Sequence, residues 1–138
     1  MSHHQPQSRG TIGRTWREST PCPSPPVRPP EGAPHLLFIV LDDVGFSDIG
    51  CYGSEIRTPH MDRLAAGGLR YTNFHTTGVC SPTRACLLTG RNAHAVGMGS
   101  IAEWATGFPG YQGRVTKRAA TLAEILRPQG YNCLAVGK

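Results

Sequence analysis

Two short stretches carry residue types from which a reaction could be built. In "GVCSPTRACLLTGR", residues 78–91, a thiol at Cys80 is followed by Ser81, Pro82 and Thr83, then by a guanidinium at Arg84. Ser81 and Pro82 suit the N-cap and first position of a helix, and Gly90 suits its end, so the pattern predicts a helix over 82–89. Cys80 then lies at the mouth of the helix N-terminus, where unpaired N–H groups and the dipole favour an anion. Arg84, four residues on, shares its face. A guanidinium fork can bind two oxygens of a tetrahedral oxyanion. The set is suited to nucleophilic attack on something anionic. A lone Cys is ordinarily a small buried apolar residue, and that is the expectation for Cys51, Cys86 and Cys133. A thiolate phosphatase would also pair Cys with Arg, but it wraps a longer loop around the phosphate than this stretch offers.

The second stretch is "LDDVGFSDIGCYG", in which Asp42 and Asp43 end an apolar run. Ligand sites of α/β sheets lie at the carboxyl ends of strands. Two adjacent carboxylates are unfavourable there unless a cation or donors neutralise them. Their hard oxygens suit Ca²⁺ or Mg²⁺. A turn or helix cap is the plainer use of the same pair.

These residues need elements to position them. Leu36 to Leu41 is a continuous apolar run of strand length, which predicts a strand buried on both faces. "TPHMDRLAAGG" predicts a short helix with Thr58 as N-cap, Pro59 at N1 and Gly67-Gly68 as the stop. "TLAEILRPQG" predicts another, with Thr121 and Glu124 as a capping box, Leu122, Ile125 and Leu126 facing a core, and Pro128 with Gly130 ending it. "YNCLAVG" then predicts a strand. Strand, helix, helix, strand implies an α/β fold: a mixed, largely parallel sheet flanked by helices.

The chain has 138 residues, and eight of its 12 prolines precede His35. Residues 1–34 therefore form a Pro- and Arg-rich arm, with a polyproline-like linker in "STPCPSPPVRPPEGAP", and residues 35–138 form the folded part. Net charge is +5, with Arg9, Arg14, Arg17 and Arg28 in the arm. Basic residues interleaved with aromatics on a folded face are absent, so no nucleic-acid partner is expected. No apolar run approaches the ~18 residues of a membrane span. No secretory signal is visible. The five cysteines are then expected as reduced thiols in the cytoplasm.

Four stretches, "FIVLDDVGFSDIGCYG", "TPHMDRLAAGGLRYTNFH", "CSPTRACLLTG" and "GYNCLAVGK", together resemble the N-terminal part of the sulfatase family, with bacterial arylsulfatases the nearest likeness. The resemblance covers roughly residues 34 to 138. It implies the alkaline-phosphatase-like three-layer sandwich, truncated. It further implies that a sulfatase-modifying (formylglycine-generating) enzyme reads Cys80-Ser81-Pro82-Thr83-Arg84 and oxidises Cys80 to formylglycine. One hydroxyl of the hydrated aldehyde attacks the sulfur of a small sulfate ester, and the second hydroxyl later collapses to expel sulfate, splitting one hard displacement into two steps. By the same resemblance Arg84 neutralises the sulfate and Lys138 contacts it. Asp42 and Asp43, with residue 80, hold Ca²⁺ or Mg²⁺. His94 stands where relatives often carry His, as a pocket residue or a structural one. His75, Glu103 and Trp104 have no assigned place, and Asn73 and Thr76 are expected to be structural.

The family pattern continues with Trp-His after Lys138, and its second pair of metal ligands comes much later. Three functions therefore stay open: a sulfate ester hydrolase in a longer chain, a formylglycine-dependent phosphonate or phosphodiester hydrolase, and a non-catalytic sulfatase fragment. The segment by itself is expected to be inactive and poorly folded.

Overall fold

Pro59 fixes the backbone angle that a helix needs at its first turn and has no N–H to leave unpaired. Helix α1 accordingly spans Pro59–Ala66, with Thr58 as N-cap and Gly67 as C-cap. The Thr58 hydroxyl does not cap the helix's own amides. It accepts from the Gly50 N–H at 2.8 Å and donates to Asp62 Oδ1 at 2.8 Å, tying α1 to the one-turn 3-10 helix Gly50–Tyr52. A Cβ at Gly50 would stand 2.7 Å from Asp62 Oδ2, so a side chain there would have to displace the Asp62 carboxylate. Tyr52 stacks on Phe46, ring centroids 4.2 Å apart, and donates its hydroxyl proton to the Tyr71 carbonyl at 3.1 Å.

The structure is a computed structural model describing residues 10–23 and 25–138. Arg9 with the rest of the arm before Gly10, and Ser24 in the linker, lie outside the described residues. The chain divides into two compact units. One joins the arm through Ala33 to Ala123–Lys138, and the other runs Pro34–Leu122.

In the larger unit, helix α2 spans Cys80–Thr89 with Val79 as N-cap. Sequence placed its start at Pro82 with Ser81 as N-cap; the helix begins two residues earlier. The Val79 carbonyl accepts the Thr83 N–H at 3.3 Å, and Pro82 sits in the first turn, where its missing N–H removes no helical bond. Gly90 closes α2 at φ 65, donating to the Cys86 carbonyl at 2.8 Å. On α2, Ala85 packs with Val96 and Ala119, and Met98 and Val115 lie against that cluster. Around it the chain folds on itself through Met98 N–H to Ala93 O, Gln112 N–H to Gly97 O and Thr116 N–H to Val96 O, at 2.8, 2.8 and 2.9 Å. Gly97, at φ 87, has no room for a side chain: a Cβ would meet Arg114 O and Thr116 Cγ2, each at 2.9 Å.

The expected sheet is not present among the described residues, which hold three α-helices, short 3-10 turns and two isolated antiparallel bridges, Thr11 with Thr20 and Met98 with Tyr111. Residues 36–41 are not assigned to a strand, and their side chains are 41% to 82% exposed. Residues 131–137 likewise form no strand, and Leu134 and Val136 are almost wholly exposed. The physical reason is the same for both. A strand is stabilised by a neighbour that pairs its N–H and C=O groups and covers its faces, and no such neighbour lies among the described residues.

Helix α3 is short, Leu122–Leu126, and tightens into a 3-10 turn at Arg127–Gln129 that contains Pro128 and ends at Gly130 with φ 88. Ile125 does not face a core as expected but is exposed. Cys51, Cys86 and Cys133 are half-buried rather than buried, and all five cysteines are free thiols. Among the described residues no helix is long and apolar enough to cross a membrane.

Candidate functional site

Cys80 is the first residue of α2 and is half-buried. Val79 before it is extended, φ −145 and ψ 161, so the chain turns into the helix at the Val79–Cys80 peptide. The first N–H groups of a helix have no partner within it. Here Pro82 has none to offer, and that of Thr83 is taken by Val79 O. The amides of Cys80 and Ser81 are left unpaired among the described residues. They stand beside the thiol at the positive end of the helix dipole.

Arg84 lies one turn further along. Its side chain is exposed and has no hydrogen-bond or ion-pair partner among the described residues. One helix thus presents a thiol, two amide donors and a guanidinium, the amides and the guanidinium without partners among the described residues. That is a donor set for a tetrahedral oxyanion. The stretch Cys80-Ser81-Pro82-Thr83-Arg84 is one continuous turn and a half of helix, with Pro82 buried beneath it.

Asp42 and Asp43 follow the extended apolar segment at a bend. Asp43 adopts φ 53, a left-handed conformation that Asp tolerates better than most residues. Both side chains are exposed. Among the described residues no three His, Cys, Asp or Glu side chains gather closely enough to hold a metal ion, so Asp42, Asp43 and Cys80 are not assembled into a ligand set. The two carboxylates on adjacent residues nevertheless have the right chemistry for a hard cation, and are fewer than the about six to eight oxygens that Ca²⁺ takes. Lys138 belongs to the smaller unit.

His94 opens the 3-10 turn His94–Val96, beyond the C-terminal end of α2 and so at the opposite end from Cys80. Its Nδ1 lies 3.3 Å from Asn92 Oδ1 and its Nε2 3.0 Å from the Tyr111 hydroxyl. Asn92 Oδ1 can only accept, so the Nδ1 contact is a donation from the ring, and Nε2 pairs with the Tyr111 hydroxyl, which can serve as either donor or acceptor. The rings meet edge to face, 5.2 Å apart at 83°. This is a structural pin between two loops. His75 is exposed, and Glu103 and Trp104 lie exposed on the 3-10 turn Ala102–Trp104. Asn73 is exposed, and the Thr76 hydroxyl donates to the Thr77 carbonyl at 3.2 Å.

One contact at the site was not foreseen from sequence. The hydroxyls of Thr77 and Thr83 are 2.6 Å apart, and that of Thr77 also reaches the Val79 carbonyl at 2.9 Å. The Thr-Thr pair three residues before Cys80 was the available signal.

Comparison with known proteins places this geometry in context. The family model described as Sulfatase matches residues 34–138. An uncharacterized sulfatase of Schizosaccharomyces pombe is 47% identical over 112 residues, covering 76% of this chain and 20% of the relative. The arylsulfatase of Klebsiella aerogenes is 38% identical over 109 residues, covering 76% and 23%. Human steryl-sulfatase is 39% identical over 110 residues, covering 76% and 18%. The chain spans about a fifth of the length of these relatives.

Proposed function

Because the chain belongs to the sulfatase family, we propose that it is the N-terminal part of a longer sulfate ester hydrolase whose nucleophile is formylglycine made from Cys80. The observation that carries this is the start of α2, where residue 80, the amides of residues 80 and 81 and Arg84 share one end of the helix, and the amides and Arg84 have no partner among the described residues. A sulfuric monoester presents a tetrahedral anion that this donor set fits.

In this reading the amides of residues 80 and 81 and the guanidinium of Arg84 draw the sulfate to residue 80 and hold its oxygens while the ester bond breaks. Stabilising charge that builds on those oxygens is worth about 10²- to 10³-fold in rate per donor. Lys138 adds a second cation to the sulfate. Asp42 and Asp43 contribute carboxylate oxygens to a bound Ca²⁺ or Mg²⁺, and the longer chain completes its shell. When bound, the metal serves as a Lewis acid toward a sulfate oxygen. A sulfatase-modifying enzyme reads Cys80 to Arg84 and oxidises the thiol. Residues 36–41 and 131–137 become strands of the alkaline-phosphatase-like α/β fold once the longer chain supplies neighbours.

The test is turnover of an aryl sulfate, an aryl phosphonate and a phosphodiester by the longer polypeptide carrying formylglycine. Preference for the sulfate supports the reading. Faster phosphonate or phosphodiester turnover replaces the substrate class, and no turnover of any of the three leaves the segment a non-catalytic sulfatase.

A further inference from the structure

The loop that enters α2 is joined to Thr83, within the Cys80 to Arg84 stretch, by a hydrogen-bond relay that starts outside it at Thr77. Each threonine hydroxyl has one proton to donate. The shortest arrangement has the Thr83 hydroxyl donating to Thr77 Oγ1 at 2.6 Å and the Thr77 hydroxyl donating to the Val79 carbonyl at 2.9 Å. The same carbonyl accepts the Thr83 N–H at 3.3 Å. The Val79 carbonyl is therefore held both by the helix and by the loop before it. That carbonyl belongs to the peptide joining Val79 to Cys80. Fixing it fixes the direction of the Cys80 N–H and the place of the Cys80 Cα, from which the helical backbone of residue 80 then directs the side chain.

We propose that Thr77 is a positioning residue for residue 80: by bridging Thr83 and the Val79 carbonyl, it sets the angle at which the nucleophile and its own amide meet the substrate. The proposal rests on the sulfate ester reading of the site. Thr77 lies outside Cys80-Ser81-Pro82-Thr83-Arg84, so changing it leaves the stretch read by the modifying enzyme intact. Valine keeps the shape of threonine and removes the hydroxyl, whereas serine keeps the hydroxyl.

The experiment compares wild type, Thr77→Val and Thr77→Ser in the longer polypeptide, co-produced with a formylglycine-generating enzyme. The formylglycine fraction at residue 80 is measured by peptide mass spectrometry, and kcat and KM on an aryl sulfate are measured alongside. The expected result is an unchanged formylglycine fraction in all three. In Thr77→Val, kcat falls about tenfold, the scale of a small misplacement of a reacting group, while KM stays within about twofold. Thr77→Ser retains wild-type kcat. Wild-type kcat in Thr77→Val overturns the proposal. So does a Thr77→Ser enzyme with kcat reduced about tenfold, a result that stands even if the valine variant does not fold. If modified wild type hydrolyses no sulfate ester, the functional reading fails, and the coupling rate of an aminooxy reagent with the formylglycine at residue 80 then decides the positioning claim. A rate changed by Thr77→Val and restored by Thr77→Ser supports it; equal rates in all three overturn it.

Discussion

Ile39 offers the sharpest test of how this segment completes its fold. It lies in the middle of the apolar run and is 69% exposed. Fully burying an isoleucine side chain stabilises by roughly 1.5–3 kcal/mol, so covering the exposed part contributes about 1–2 kcal/mol. Replacing it by asparagine forfeits that gain and places an amide in an apolar layer, at a further cost of about 1–3 kcal/mol if it finds no partner. Ile39→Asn is therefore expected to destabilise the longer polypeptide by about 3 kcal/mol, a large share of the ~5–15 kcal/mol that holds a native domain. In the 138-residue chain the same side chain already faces solvent, and the change is expected to stay within ~0.5 kcal/mol. Urea titration followed by far-ultraviolet circular dichroism, with equal slopes for the two variants, measures the difference. A loss of ~0.5 kcal/mol or less in the longer polypeptide would refute the idea that residues 36–41 become a covered strand.

Other outcomes follow from the same geometry. Arg84→Ala in the longer polypeptide should lower kcat/KM by at least roughly 10²-fold, and Arg84→Lys should recover only part of it because the two-pronged fork is lost; wild-type activity in Arg84→Ala contradicts the role. Asp42→Asn with Asp43→Asn should weaken Ca²⁺ binding by calorimetry and reduce turnover together, and full activity after chelation would remove the metal from the account. Gly90 and Gly97 are both left-handed, but a Cβ at Gly90 meets nothing within 4 Å while one at Gly97 meets the Arg114 carbonyl at 2.9 Å. Gly90→Ala should cost ~1–2 kcal/mol, the conformational penalty alone, and Gly97→Ala clearly more; equal losses by thermal unfolding would show that the turn around Val96 is looser than described.

What could be read from sequence was local. Pro59 and Gly67 mark the ends of α1 because a fixed proline angle and a glycine stop act within one turn of the chain, whereas the Thr58 hydroxyl, expected as the cap, turns to Gly50 and Asp62 instead. The start of α2 was misplaced because proline is tolerated throughout a first turn, so Pro82 alone does not say which of its positions it holds. The apolar run 36–41 reads as a strand, yet a strand needs a partner, and periodicity cannot supply one. The tie between Thr77 and Thr83 depends on how a loop folds back on the helix it precedes. The pin between His94 and Tyr111 spans 17 residues, so the histidine's role was settled only by the loop that returns to it. For the site itself, the sequence placed Arg84 on the helix and Cys80 just before it, whereas Cys80 is the first helical residue, and it could not show that Arg84 and the amides of residues 80 and 81 have no partner among the described residues.

The central claim is that residue 80 acts as formylglycine, and the state of that one side chain tests it most directly. The longer polypeptide is produced with an active formylglycine-generating enzyme, digested, and its Cys80 peptide analysed by mass spectrometry after treatment with an alkylating agent and, in parallel, an aminooxy reagent. The account predicts a peptide that has lost its sulfur, resists alkylation and couples through an aldehyde. A Cys80 peptide that alkylates fully and carries no aldehyde in that host would contradict it.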